Sequence, residues 1–544
     1  MLPPQRPMAS SPIHTSPVIC RPLSPTVKLA IVVGVFGFVA LLNHNAVVNQ
    51  FVVVGADSDT LWHTGLLWRG DAQLTNPPGI DNRSYFNTHF APFFILPALA
   101  SHFLPFDAMG WYALFMGVCH GASAAIFAFC ALTFAERRGA VPILTAMLGA
   151  LAGVAFAFTP VAAQMARYPH YEVAIPGLIL ATAAALALGR TGMAAVPFVL
   201  ALSFKQDTGL HAALLFATIA GATWIRTRRF AWPELSFAAI GTAYAIFGFL
   251  FAPLFMPSYQ GHMVGYFVGD PPFGHWRLDE IARKVDFFAW QSAHVWAPLL
   301  LMAAVATLRR DLALAVGTLA VTPWFVLVVC FANFITVWAL GFHYPFPALI
   351  AYGWPTILAL YRLGPRHFAG DTRFLALLQI AVLVLAFVPK LGTQFPPGYS
   401  RPRFANIHYH VTPEAQAIAR HRDFVQALHD GYPQLGRVRA AIAVTAMAPR
   451  VIDRNEWIEE IKRPDDPAIG LIDTILFLDA AMACPEVERV IRTARLPFEY
   501  RVPGTRIVVL SRRTLAQMPI LAPHLVAAIR TRPEHCGLRE LKMQ

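Results

Sequence analysis

The residues best equipped for chemistry gather in short polar stretches between long apolar runs. Asp57 and Asp59 lie in Gly55–His63, directly after the first such run. On an extended segment, carboxylates one residue apart point the same way. At a membrane surface they are costly unless solvated, paired or metal-bound. The pair suits a general base with a helper carboxylate, or a divalent cation such as Mg2+ or Mn2+; the plain alternative is a solvated turn. His89 precedes a short apolar segment, where its ring can meet a phosphate near a helix N-terminus or anchor the segment at the interface. Arg167, His170 and Glu172 form a second stretch, and Glu172 stands at the mouth of the next helix, able to complete a carboxylate pair with the first. Lys205 and Asp207 sit between two apolar runs, where the lysine either pairs with the aspartate or offers its ammonium to a lipid phosphate. His343 lies in a further polar stretch, Gly341–Pro345. His262, Asp270, His275 and Arg277 flank Pro271-Pro272 and read as a polar loop.

These stretches must be held by helices in lipid. The chain is 56% hydrophobic and 14% charged, against roughly 25% charged in soluble domains. The runs are too long and continuous for an outer-membrane barrel, whose strands alternate. Spans are expected at Val27–Leu42, Ala108–Phe134, Val141–Pro160, Val173–Leu188, Met193–Phe204, Thr208–Trp224, Leu235–Met256, Val295–Leu308, Leu312–Ala332, Tyr344–Tyr361 and Phe374–Val388. That is about eleven helices by the 20-residue criterion, with Met193–Phe204 short enough to be tilted or broken.

The net charge of +12 comes from small Arg groups between the runs, which is a topology signal and not a nucleic-acid footprint. Placing Arg21 with Lys28, Arg137-Arg138, Arg190, Arg226 with Arg228-Arg229, Arg309-Arg310 and Arg362 with Arg366 inside makes the helices alternate, provided His89–Leu104 does not cross. The N-terminal arm, residues 1–26, is then cytoplasmic and rich in Pro and Ser. Residues 27–389 form the transmembrane domain, with external loops near 51–107, 161–172, 257–294 and 332–343. Residues 390–544 form a small extracytoplasmic α/β domain, with strands expected at Ala440–Val444, Thr474–Leu478 and Arg506–Leu510 and helices at Pro413–His429, Pro485–Ala494 and Leu515–Arg530. No CxxC or metal-ligand spacing occurs among the cysteines. Cys484 and Cys536 are the two placed outside, where a disulfide is permitted.

Asp59 with Trp68, Thr88–Pro92, His170-Tyr171-Glu172, Lys205-Gln206-Asp207 and His343-Tyr344-Pro345 resemble the recurring features of a bacterial membrane family, domain of unknown function 2079. That family is grouped with the GT-C membrane glycosyltransferases, whose better-known members include the protein mannosyltransferases and the aminoarabinose transferase of lipid A. The resemblance implies a GT-C-like, all-α polytopic fold in the bacterial inner membrane. It also implies a polyprenyl-phosphate sugar donor and an acidic first-loop residue at the active site, which maps to Asp59. Thr64 stands where the family carries a further acidic residue, and Gln206 where Glu is more usual. The expected reaction is transfer of the sugar to an envelope acceptor, with Asp59, Asp57 and Glu172 as acidic groups and His89, Arg167, His170, Lys205, Asp207 and His343 around the substrate. A non-enzymatic transporter of lipid-linked saccharides, or an envelope assembly factor, is the alternative.

Overall fold

The computed structural model describes residues 22–54, 90–101, 103, 108–167, 171–251, 267–269, 272–333, 335–340, 344–364, 371–387, 422–440, 444, 467–478, 493–505 and 507–528. The described chain is mostly helical, with a small sheet near its C-terminal end. Among the described residues five helices are long and apolar enough to cross a bilayer, or six if one bent pair is a single span, which fits a membrane protein.

Helix α1 runs Pro25–Val54, with Pro25 at the first helical position, where its missing amide costs nothing. After a 3-10 turn at Pro92–Phe94 comes the short α2, Ile95–Ser101. Then follow α3 (Ala108–Arg137), α4 (Pro142–Ala157), α5 (Pro160–Arg167), α6 (Ala174–Ala187), α7 (Thr191–Phe204), α8 (Thr208–Thr227) and α9 (Trp232–Ile246), the last continued by a π-helical turn at Phe247–Phe251. Helices α10 (Leu278–Gln291), α11 (Ala293–Leu308), α12 (Leu312–Phe331), α13 (Ile335–Trp338), α14 (Ala348–Leu363) and α15 (Arg373–Ala386) complete the bundle. Each of the eleven expected runs holds a helix within its described residues. Five of them, at α4, α6, α7, α14 and α15, fall short of a full span by length, and α11 reaches one only together with α10, so the count of eleven spans does not follow from helix length alone. Met193–Phe204 is one continuous helix with Pro197 inside it.

Helix α14 is buried on every side from Ala348 to Arg362, as expected of a helix apolar all round. It packs against α6, α12, α15 and α3, while α1 lies along α3 and α8 along α9. Close approach of α8 and α9 needs Gly209 and Gly241: a Cβ on Gly241 would sit 2.8 Å from the Gly209 carbonyl oxygen. Small residues at such crossings let backbones meet in lipid.

The third expected external loop is not simply a loop. Leu278–Gln291 within it is helix α10, which meets α11 at an 87° bend. Its apolar and charged residues recur with the helical period, which suits a helix lying at an interface.

Near the C-terminal end, helix α16 (Arg422–Gly431) precedes a five-stranded sheet in the order β1-β2-β4-β3-β5. The strands are β1 (Val438–Ala440), β2 (Thr474–Leu478), β3 (Phe498–Arg501), β4 (Ile507–Ser511) and β5 (Val526–Ala528). Only β1 and β2 pair parallel; the other pairs are antiparallel, so the sheet departs from the parallel arrangement an α/β domain would carry. The helix expected at Leu515–Arg530 is replaced by two 3-10 turns and β5. Pro519 and Pro523 account for this, since each lacks an amide and clashes with the preceding turn. Of the expected Pro485–Ala494 helix only Thr493 and Ala494 are described, and both are helical; the rest of it, the boundary at residue 390, Cys484 and Cys536 lie outside the described residues.

Candidate functional site

Two ends of the bundle can be distinguished by contacts alone. At one end Lys28 pairs with Glu136, Arg137 donates to the Leu363 carbonyl at 3.3 Å, and Arg362 pairs with Asp311. The Arg-bearing connections therefore converge. The other end holds Glu172, Lys205 and Asp207.

Helices α6 and α7 form a hairpin closed by Gly189, at φ +75°, and Arg190. Each has 14 residues, a length of about 21 Å against about 30 Å of hydrocarbon. Residues at the far ends of this hairpin are thus drawn inward. Glu172 lies in the turn before α6, and Lys205 directly follows α7.

The Lys205 ammonium donates to Glu172 Oε1 and lies 3.5 Å from Asp207 Oδ2. The side chains are 2%, 0% and 2% exposed for Lys205, Glu172 and Asp207. Two carboxylates therefore face one ammonium away from water. A buried charge needs such partners, because losing hydration costs several kcal/mol per ion. Between them, buried Gln206 accepts a hydrogen bond from the Phe90 amide at 2.9 Å. Gly248 lies against the Gln206 side chain, where any Cβ would overlap it.

The chain leaving the first loop is clamped here. Phe93 stacks on Phe204 with centroids 4.0 Å apart, Phe94 meets Tyr171 edge-on at 4.6 Å, and Phe90 packs against Tyr244 and Phe247. One turn along α8 from Asp207, His211 is held edge-on between Trp324 and Phe346, and Trp324 donates to the Tyr344 carbonyl at 3.3 Å. Segments at 90–94, 171–172, 204–211 and 344–346 thus meet at one end of the bundle.

Asp207 Oδ1, Thr208 Oγ1, His211 Nε2 and Tyr244 OH are buried with no hydrogen-bond partner among the described residues. Asp207 acts electrostatically on both His211 and Tyr244. Such unpartnered groups are costly in a closed interior. Together they offer one strong acceptor, two hydroxyls and an imidazole, a set able to bind the hydroxyls of a polar ligand.

Of the residues singled out in the sequence, Glu172, Lys205 and Asp207 come together. The backbone of Arg167 ends α5. Asp57, Asp59, His89, His170 and His343 lie outside the described residues, as do His262 and Asp270. His275 hydrogen-bonds the Phe331 carbonyl at 2.8 Å, and Arg277 pairs with Asp279 in the open; neither joins the cluster. Among the described residues no group of three or more His, Cys, Asp or Glu side chains could hold a metal ion. His211, Thr208 and Tyr244 were not singled out from the sequence. His211 had a signal, its four-residue spacing from Asp207 on one helix face; Tyr244, on another helix, had none. The chain matches no protein-family model and no curated protein.

Proposed function

We propose that the protein is a membrane glycosyltransferase of the GT-C type, moving a sugar from a polyprenyl-phosphate donor to an envelope acceptor. The resemblance to domain of unknown function 2079 belongs to the same proposal. The observation that supports it most is the meeting of four separate segments around Glu172, Lys205 and Asp207, with unpartnered hydroxyl-binding groups beside them. The positive-inside rule puts the Arg-bearing end in the cytoplasm, and with it the N-terminus. The cluster and the C-terminal sheet then face outward.

In this reading an acceptor hydroxyl attacks the anomeric carbon as the bond from that carbon to the donor phosphate oxygen breaks. The electron pair leaves on the lipid phosphate and the proton passes to Asp59, with inversion. Asp57 is the helper carboxylate, or shares a divalent cation with Asp59. His89, Arg167, His170 and His343 stabilise the departing phosphate. Lys205, engaged by two carboxylates, acts as a strut that sets the depth of the site. Asp207, Thr208, His211 and Tyr244 receive hydroxyls of the sugar or acceptor.

The test is transfer from labelled polyprenyl-phosphate sugars by purified protein in liposomes. Asp59→Asn at matched protein level should lose about 100-fold or more. Full transfer by Asp59→Asn would remove the assigned base. Movement of labelled lipid across the bilayer without transfer to any acceptor would replace the enzyme with a transporter.

A further inference from the structure

The Arg-bearing end holds a cavity of about 550 Å³ that plays no part in the proposed reaction. Arg226, Arg309, Arg310 and Arg362 line it, with Asp311 and Asp371. Asp311 pairs with Arg362, which also donates to the Asp371 carbonyl at 2.7 Å. Among the described residues Arg226, Arg309 and Arg310 make no ion pair, so the cavity carries an excess of cations.

Two further observations point to a ligand. The Arg362 side chain is 1% exposed, yet its Nε has no hydrogen-bond partner among the described residues. Arg309 is already fixed, its guanidinium lying 3.7 Å from the centre of the Phe374 ring, so little freedom is lost when it binds. The cavity wall also includes Leu312 and Ala313, the first residues of the 20-residue α12, whose N-terminal end favours an anion. Guanidinium groups suit phosphate because they donate in a planar fork.

The remaining wall identifies the source of the phosphate. Ile225 and Leu312 line the cavity and are exposed on the helix surfaces beside it, as is neighbouring Leu308. A site with a cationic floor and an apolar rim at the end of a membrane bundle fits an amphiphile better than a free anion. We propose that this cavity binds the phosphate headgroup of an anionic membrane lipid, with the acyl chains running along the exposed apolar faces of α8, α11 and α12. The proposal stands independently of the glycosyltransferase reading.

The experiment uses the purified full-length chain in detergent, with binding of phosphatidylglycerol, phosphatidylcholine and inorganic phosphate followed by native mass spectrometry and by thermal melting. Phosphatidylglycerol should bind and raise the melting temperature, and phosphatidylcholine should not. The double variant Arg226→Gln, Arg310→Gln removes two exposed side chains that line the cavity and leaves the Arg309–Phe374 contact in place, so its melting temperature without lipid should stay that of the parent. Its affinity for phosphatidylglycerol should fall about tenfold or more. The control pair Arg190→Gln, Arg229→Gln lies at the same end but outside the cavity and should keep that affinity. Equal loss in both double variants would overturn the site in favour of general surface attraction. Equal binding of the two lipids would overturn it as well, and protection by inorganic phosphate at the same concentration would overturn the lipid as its ligand.

Discussion

The two ends of the bundle use the same chemistry, a buried cation against a carboxylate, to opposite effect. At one end Lys205 faces Glu172 and Asp207, all three at most 2% exposed, with Phe90, Phe93 and Phe94 packed on the aromatic rings of neighbouring segments. At the other, Arg362 is buried but its partner Asp311 is 14% exposed and opens on a cavity with further arginines. The first is closed and acid-rich; the second is open and base-rich. Burial is the difference that matters. In the closed end each charge depends on its protein partners, whereas in the open end water or an anion can replace a lost one. A series of ion-pair deletions graded by burial separates the two.

The largest effect belongs to Lys205→Met. It leaves two carboxylates buried without their cation, and removal of one partner of a buried pair costs about 3–5 kcal/mol. Melting in detergent should show a large drop or loss of folded protein. Adding Glu172→Gln and Asp207→Asn to Lys205→Met should recover much of that stability, since uncharged groups no longer need the cation, while sugar transfer should stay lost. A Lys205→Met protein as stable as the parent would mean that the carboxylates hold protons, and the contrast between the ends would collapse.

Arg362→Met comes next, at about 1–3 kcal/mol. It removes the donor to Asp311 and to the Asp371 carbonyl, but Asp311 can turn to water. The same melting measurement should rank it below Lys205→Met. The reverse order would show that the Arg-bearing end is the tighter of the two.

Gln206→Ala should cost about 1 kcal/mol, the ordinary worth of one hydrogen bond. Its consequence for the site should be larger than its consequence for the fold. The Phe90 amide bonds to Gln206 Oε1, so amide exchange at Phe90 should quicken. Transfer should fall by more than the stability change explains. Unchanged exchange at Phe90 would mean that the aromatic clamp alone holds the end of the first loop.

How far the sequence carried the fold differs between the same regions. The eleven apolar runs were legible because length and hydropathy are local properties. Helix α10 was not, because charged residues such as Asp279, Glu280 and Arg283 dilute its apolar face until it averages to a polar loop. The strand at Val526–Ala528 was hidden beneath a helix-like composition, although Pro519 and Pro523 argued against a helix. In the site, Glu172, Lys205 and Asp207 could each be named from residue type and position at a helix mouth. Their mutual pairing could not, because 33 residues separate Glu172 from Lys205 and only the closed α6–α7 hairpin brings them together. The hydroxyl of Tyr244 was beyond reach for the same reason: its relation to Asp207 depends on how α9 packs on α8, which in turn depends on Gly209 and Gly241.

The smallest effect completes the series. Lys28 and Glu136 pair at the Arg-bearing end, joining the start of α1 to the end of α3, with side chains 27% and 19% exposed. Formally this is the same lysine–carboxylate contact as Lys205–Glu172, so it isolates burial from chemistry. Water screens partly exposed charges, and fixing a long lysine side chain costs entropy, so such pairs contribute about 0–1 kcal/mol. Lys28→Gln should therefore shift melting only slightly, and raised salt should weaken the parent's pair toward the same value. Lys205→Met, by contrast, should be nearly insensitive to salt, because ions do not reach a cluster at most 2% exposed. If Lys28→Gln destabilised the protein as much as Lys205→Met, the contact of α1 with α3 would depend on that single pair and burial would not be what ranks the two ends. A small, salt-dependent loss beside a large, salt-independent one is the result that keeps the comparison intact.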